Sequence, residues 1–148
     1  MKLIAIAYGA SHDRGIKDMV DDYSLRLQKY TSFEWQIIPA GSSLAEEEKS
    51  LIKNLQSGDF VVVLDERGKE FSSTELSEKI NTWQVAGHKR VVCVIGGAFG
   101  VTEAIRERAN LVWSLSKLVF PHQLVRLILA EQLYRGFSIL AGTKYHHE

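Results

Sequence analysis

Two uninterrupted aliphatic runs, FVVVL over residues 60–64 and VVCVI over 91–95, constrain the fold of this chain most tightly. A strand that alternates apolar and polar residues can face water on one side. A strand without polar positions must lie in a sheet covered on both faces, and such sheets are built from parallel strands joined by helical crossovers. Lys2–Ala7 and Phe33–Ile38 read as further strands, the second closed by Pro39, and Leu111–Ser114 reads as a short last one.

The segments between these strands carry helical patterns. Ile16, Met19, Val20, Tyr23 and Leu27 recur at helical spacing up to Lys29, and AEEEKSLIKNL ends before Ser57-Gly58. In SSTELSEKINTWQVAG either Ser72 or Ser73 can cap a helix that Gly87 ends. Thr102 and Glu103 open a short charged helix, and a last one runs from about Gln123 to Leu140. Strict strand–helix alternation over 148 residues, without a linker or repeat, implies one α/β domain over 1–148 with a mostly parallel sheet flanked by helices. Ligands of such sheets bind beyond the carboxyl ends of central strands. The loops after Leu64, Ile95 and Ser114 are therefore the pocket candidates.

In the last helix, Leu124, Val125, Leu127, Ile128, Leu129, Ala130, Leu133, Tyr134, Phe137, Ile139 and Leu140 spread around most of the circumference. A helix apolar all round has to be covered on nearly all sides. It is either a central core helix or part of a homodimer interface. The second reading is preferred, with Leu129 and Leu133 pointing outward.

Other classes find little support. Eighteen basic and eighteen acidic side chains cancel, so an RNA partner has to be met by a local patch. The opening MKLIAIAYGA reads as a strand rather than a signal segment, and no charge-free stretch approaches the roughly 20 residues that span a bilayer. The single cysteine, Cys93, reads as a packing residue; with no intramolecular disulfide open to it, the chain is expected to be cytoplasmic. His12, His88, His122, His146 and His147 lack metal-ligand spacing, so no metal is expected. Ser114 and Ser116 lack the nucleophile-elbow pattern. GGAFG at 96–100 has neither Rossmann nor P-loop spacing, so it is either a tight turn or a place where backbone amides approach a ligand closely.

VVCVIGGAFGV, WSLSKLVFPHQLVRLILAEQLYRGFSI and the ending KYHHE together resemble the ribosomal RNA large-subunit methyltransferase H family of the SPOUT superfamily. MKLIAIAYG, YSLRL, IIPAG and VVLDERGKEFSS match its pattern in order, so the resemblance covers nearly the whole chain. It implies a homodimeric enzyme with a C-terminal trefoil knot. The implied reaction moves a methyl group from S-adenosylmethionine to N3 of a pseudouridine in ribosomal RNA of the assembled ribosome. The same fold acting on another RNA, and a ribosome-binding factor without turnover, are the alternatives.

By the same resemblance Leu64, Gly96, Gly97, Leu115, Ser116, Lys117, Leu118, Val119 and Phe120 line the cofactor pocket, with Pro121 stiffening the loop exit. Tyr145 is expected to position the tail, and His146 to contact the target base or act on its proton. His147 stands where the family carries arginine or lysine, and a histidine is only partly charged near neutral pH. Read by themselves, a tyrosine and two histidines at a terminus could equally be exposed polar residues. Arg126 and Arg135 are candidate RNA phosphate contacts or, alternatively, solvated or paired helix charges.

Overall fold

The computed structural model describes residues 1–147. Its strands are β1 (Lys2–Tyr8), β2 (Ser32–Ile38), β3 (Phe60–Lys69), β4 (Arg90–Ile95) and β5 (Leu111–Trp113). Its helices are α1 (Lys17–Leu27), α2 (Leu44–Asn54), α3 (Ser73–Val85), α4 (Glu103–Arg108) and α5 (His122–Leu140). The strands form one sheet in the order β2-β1-β4-β3-β5, and every pairing is parallel. The two aliphatic runs thus occupy interior strands, as their lack of polar positions requires.

Alternate residues of each strand feed two cores. Leu3, Ala5, Val62, Leu64, Val91 and Cys93 pack on one face with Leu27, Leu76, Ile80, Leu129, Leu133 and Phe137, from α1, α3 and α5. Ile4, Ile6, Val61, Val63, Val92 and Val94 pack on the other with Leu51 of α2 and Ile105 of α4. Cys93 belongs to the first core, where burial pushes its thiol up to about 12; it is a packing residue.

Helix starts are set by short polar side chains. Ser72, rather than Ser73, caps α3 in a full capping box with Glu75. Ser43 and Thr102 cap α2 and α4 by accepting from Glu46 N and Ile105 N.

Two expectations are corrected. β3 runs on to Lys69 rather than ending at Leu64: its pairing with β5 is irregular between Leu64 and Lys69, and Ser114 N donates to Lys69 O at 2.9 Å. Gly68 permits this, because a Cβ there would lie 2.5 Å from the Val112 carbonyl oxygen. The second concerns α5. It lies on the sheet between α1 and α3, and Leu129 and Leu133 are fully buried in the chain's own core, so they do not point outward. Leu129, Ala130, Leu133 and Phe137 are the buried part of the apolar girth of α5, Val125, Leu127, Ile128, Tyr134 and Ile139 are half-buried, and Leu124 and Leu140 are exposed.

Candidate active site

The carboxyl ends of β3, β4 and β5 open into a cleft of ≈ 390 Å³. Leu64 and Ile95 are register partners at its floor, with Trp113 beside Leu64 and stacked on Phe71 at 5.1 Å between ring centroids. The walls come from Gly96–Ala98, Gly100 and Val101 after β4, and from Leu115, Ser116, Leu118, Val119 and Phe120 after β5. All three loops picked from the sequence thus meet at one site. Of the residues expected to line it, only Lys117 does not; its side chain is exposed.

The loop after β5 is shaped by its serines. Ser114 Oγ donates to Ser116 O at 2.9 Å, and Leu118 N donates to Ser116 Oγ at 3.0 Å. These bonds turn the chain so that Leu118 and Val119 stand exposed at the cleft. Here the serines are turn-formers, not nucleophiles.

The glycines of GGAFG divide into two kinds. Gly100 has φ +83°, in the left-handed region, and its N–H closes a turn onto Gly97 O at 3.0 Å. Gly96 and Gly97 line the cleft and are backed by the protein itself, which fills the space a side chain would take. A Cβ on Gly96 would lie 2.8 Å from Val101 Cγ2, and one on Gly97 would lie 2.7 Å from both carboxylate oxygens of Glu47.

The sequence reading missed Asp65, Arg67, His122 and Val125, which also line the cleft. Each adjoins or nearly adjoins an identified residue, and Asp65, directly after Leu64, was the available signal. Its buried carboxylate accepts from Arg67 Nε at 3.1 Å, Arg67 Nη2 at 2.9 Å and Arg67 N at 2.9 Å, with Arg106 at 3.8 Å. Burial raises its pKa, but the Arg67 bonds and the charges of Arg67 and Arg106 outweigh this and hold it below the usual carboxylate range. Asp65 and Arg67 therefore neutralise one another at the cleft, which Glu66, Ser116 and His122 line beside its apolar side chains and backbone.

Arg126 is corrected as an RNA contact. It is fully buried, donating through Nη2 to Tyr8 O and through Nη1 to Ala10 O, both at 3.0 Å, with His12 Nδ1 at 3.3 Å. A guanidinium spent on the loop after β1 cannot reach a phosphate. Arg135 is likewise engaged: it pairs with Glu131 at 2.6 Å, stacks over the Tyr145 ring at 4.7 Å and donates to His146 Nδ1 at 3.1 Å.

The tail is tied down. Tyr145 OH donates to Glu131 Oε1 at 2.9 Å and lies 3.0 Å from Tyr23 OH, and its ring meets Tyr134 edge-on at 4.7 Å. Burial and these partners raise the Tyr145 pKa, so the phenol stays protonated. Because guanidinium can only donate, His146 Nδ1 is the acceptor in this contact. His147 is exposed, and none of the three lines the cleft of its own chain.

Among the described residues no group of three or more His, Cys, Asp or Glu could hold a metal ion, and no helix is long and apolar enough to cross a membrane.

Comparison with known proteins agrees with this geometry. A solved structure from Haemophilus influenzae Rd KW20, described as a probable methylase family protein, matches with a TM-score of 0.52 at 13% identity, covering 97% of this chain and 67% of that one. Several relatives carry the name ribosomal RNA large subunit methyltransferase H. That from Christiangramia forsetii is 41% identical over 99% of this chain and 98% of its own. That from Flavobacterium johnsoniae is 40% identical over 100% of both. The family model described as "Predicted SPOUT methyltransferase" matches residues 1–146, and the chain belongs to the SPOUT methyltransferase family.

Proposed function

We propose that this chain transfers a methyl group from S-adenosylmethionine to large-subunit ribosomal RNA, with N3 of a pseudouridine as acceptor and the assembled ribosome as substrate. The observation that carries the reading is the single cleft joining the ends of β3, β4 and β5 in a chain whose full-length relatives bear that enzyme's name. The donor set fits the cofactor. Leu64, Ile95, Leu115, Leu118, Val119 and Val125 offer apolar surface, the bent loops offer backbone hydrogen-bonding groups, and the Asp65–Arg67 pair leaves no free cation cluster of the kind a polyphosphate needs.

When bound, S-adenosylmethionine supplies a methyl group on a positively charged sulfur. The chain's part is to align that methyl with the acceptor nitrogen and to manage the proton the nitrogen loses. The walls Gly96–Val101 and Leu115–Phe120 hold the donor and exclude water. Tyr145 fixes the tail on Glu131 and Tyr23, and His146, held by Arg135, contacts the target base or acts on its proton. His147, exposed beside His146, faces the RNA backbone.

The enzyme acts in this reading as a homodimer in the cytoplasm. Phe99, Leu118, Val119 and Leu124 are exposed on the two loops framing the cleft and on the first turn of α5, an apolar surface suited to a second copy. Val125 at the cleft and Arg135 at the tail are about ten residues apart on α5, or roughly 15 Å of helix rise. The tail of one protomer therefore serves the partner's cleft. The C-terminal trefoil knot is part of the same proposal; a crystal structure with an unknotted backbone path removes it.

Calorimetry tests the site. S-adenosylmethionine and its demethylated product should both bind, and Leu118→Asp, at the cleft, should weaken both more than Leu124→Glu, which alters the same apolar surface outside the cleft. Unchanged affinity in Leu118→Asp moves the cofactor elsewhere.

A further inference from the structure

One buried charge has no place in the mechanism above. Glu47 of α2 is 3% exposed, makes no ion pair among the described residues, and its Oε1 has no hydrogen-bond partner there. Its Oε2 accepts only a long bond from Gly41 N at 3.3 Å. Buried carboxylate oxygens are ordinarily satisfied, so an orphaned one asks for a reason.

Its surroundings supply one. The carboxylate lies against Gly97, where an added Cβ would come within 2.7 Å of both oxygens. The Gly96–Val101 wall of the cleft is held at its start by the pairing of β4. Its end is held by Thr102, whose Oγ1 donates to Glu48 Oε1 at 2.6 Å, and by Arg106, whose Nη1 donates to Val101 O at 2.6 Å. Between these anchors the Gly100 N–H is spent on Gly97 O, while the Ala98 N–H makes no hydrogen bond to the described residues. Glu47 is thus a buried polar side chain set behind the middle of the wall. Tyr8 OH, donating to Glu47 O at 2.9 Å, fixes this turn of α2 to β1.

We infer that Glu47 is a positioning residue for methyl-donor binding: its carboxylate backs Gly97, and Oε1 is the acceptor onto which the Gly97 or Ala98 amide closes when S-adenosylmethionine occupies the cleft. The inference rests on the cofactor reading of that cleft. Glu47 touches neither donor nor acceptor; it sets the wall against which the donor lies. Its loss therefore acts on donor affinity and leaves the RNA site alone.

The test uses the full chain with Glu47→Gln and Glu47→Asp, the latter keeping the charge but one methylene short. Hydrogen exchange of peptides covering residues 96–102 is followed with and without S-adenosylmethionine, beside calorimetry and steady-state kinetics on ribosomes. In the wild type the cofactor should slow exchange in that segment. Glu47→Gln should lose this protection and bind S-adenosylmethionine about tenfold more weakly, the effect of one charge-assisted hydrogen bond. Its turnover at saturating cofactor and its KM for ribosomes should stay near wild type, which a general loss of structure would not allow. Glu47→Asp should fall between, and it stands in if Glu47→Gln melts below the assay temperature. A folded variant with wild-type affinity and wild-type protection overturns the inference. Should the wild type not bind S-adenosylmethionine, the cofactor reading fails. Glu47 is then judged on the free protein, where Glu47→Gln must speed exchange over residues 96–100 and unchanged exchange overturns its role.

Discussion

Replacing Arg126 by methionine separates a structural guanidinium from an RNA contact. The variant keeps an unbranched stem of similar bulk but leaves the Tyr8 and Ala10 carbonyls, each accepting at 3.0 Å in the native protein, without donors. An unsatisfied buried acceptor costs about 1–3 kcal/mol, so the two together cost about 2–6 kcal/mol. Against this stands relief from holding a charge out of water. Among the described residues no carboxylate forms an ion pair with Arg126, and burial depresses its pKa with only partial compensation from Asp13. That relief is several kcal/mol at most. The carbonyl loss is the larger because the same loop depends on Gln123 one turn earlier, which accepts from Asp13 N at 2.9 Å and cannot hold it alone. A net loss of stability follows, each kcal/mol of it equivalent to roughly 2–4 °C in Tm for a chain of this size. Arg126→Lys should behave alike, since one ammonium replaces a fork that spans two carbonyls. The assays are thermal melting and the salt dependence of RNA binding. A phosphate contact would leave Tm unchanged and lower the slope of log K against log salt by about 0.7–0.9. That outcome would refute the buried-anchor account.

Four other outcomes are expected. His12 is held below its ordinary pKa by burial first and then by the Arg126 charge, Lys17 adding and Asp21 opposing. Because the unfolded chain binds this proton at higher pH than the folded one, stability should fall as pH drops through about 6.5 toward the folded value and then level off. His12→Asn should flatten that step in melts across pH 5–8. Tyr145→Phe keeps the contacts to Tyr134 and Arg135 but loses the bond to Glu131, costing about 1 kcal/mol in denaturant titrations. Deleting residues 145–148 should leave cofactor binding nearly intact in calorimetry yet abolish turnover on ribosomes; wild-type turnover would make the tail a mere terminus. In sedimentation the protein should run as a dimer at micromolar concentration and Leu124→Glu should dissociate it, whereas a folded wild-type monomer would contradict the dimer.

Strand and helix order was readable because aliphatic runs, serine caps and glycine stops each act locally. The last turns of β3 were not, since Arg67-Gly68-Lys69 has no apolar signal and depends on close approach of Gly68 to β5, a contact between distant segments. The cleft was readable from loop position. The reason for its glycines was not, because Glu47 and Val101 fill the space behind them only once the chain is folded. Two buried charges were within reach of helical spacing. Arg126 precedes Leu129, Leu133 and Phe137 on one stripe of α5, and Glu47 precedes Leu51 by one turn of α2. The habit of placing charged residues outside hid both. The tail's order rests on Glu131, Arg135 and Tyr23, whose meeting no local pattern announces.

The central claim is methyl transfer to ribosomal RNA, and the most direct test is incubation with methyl-labelled S-adenosylmethionine and either free ribosomal RNA or whole ribosomes, followed by mass spectrometry of the nucleosides. The account predicts label in N3-methylpseudouridine of the large-subunit RNA, formed on assembled ribosomes and lost with the tail. Label in another nucleoside would reassign the target, and binding to ribosomes with no label in any nucleoside would contradict the enzyme.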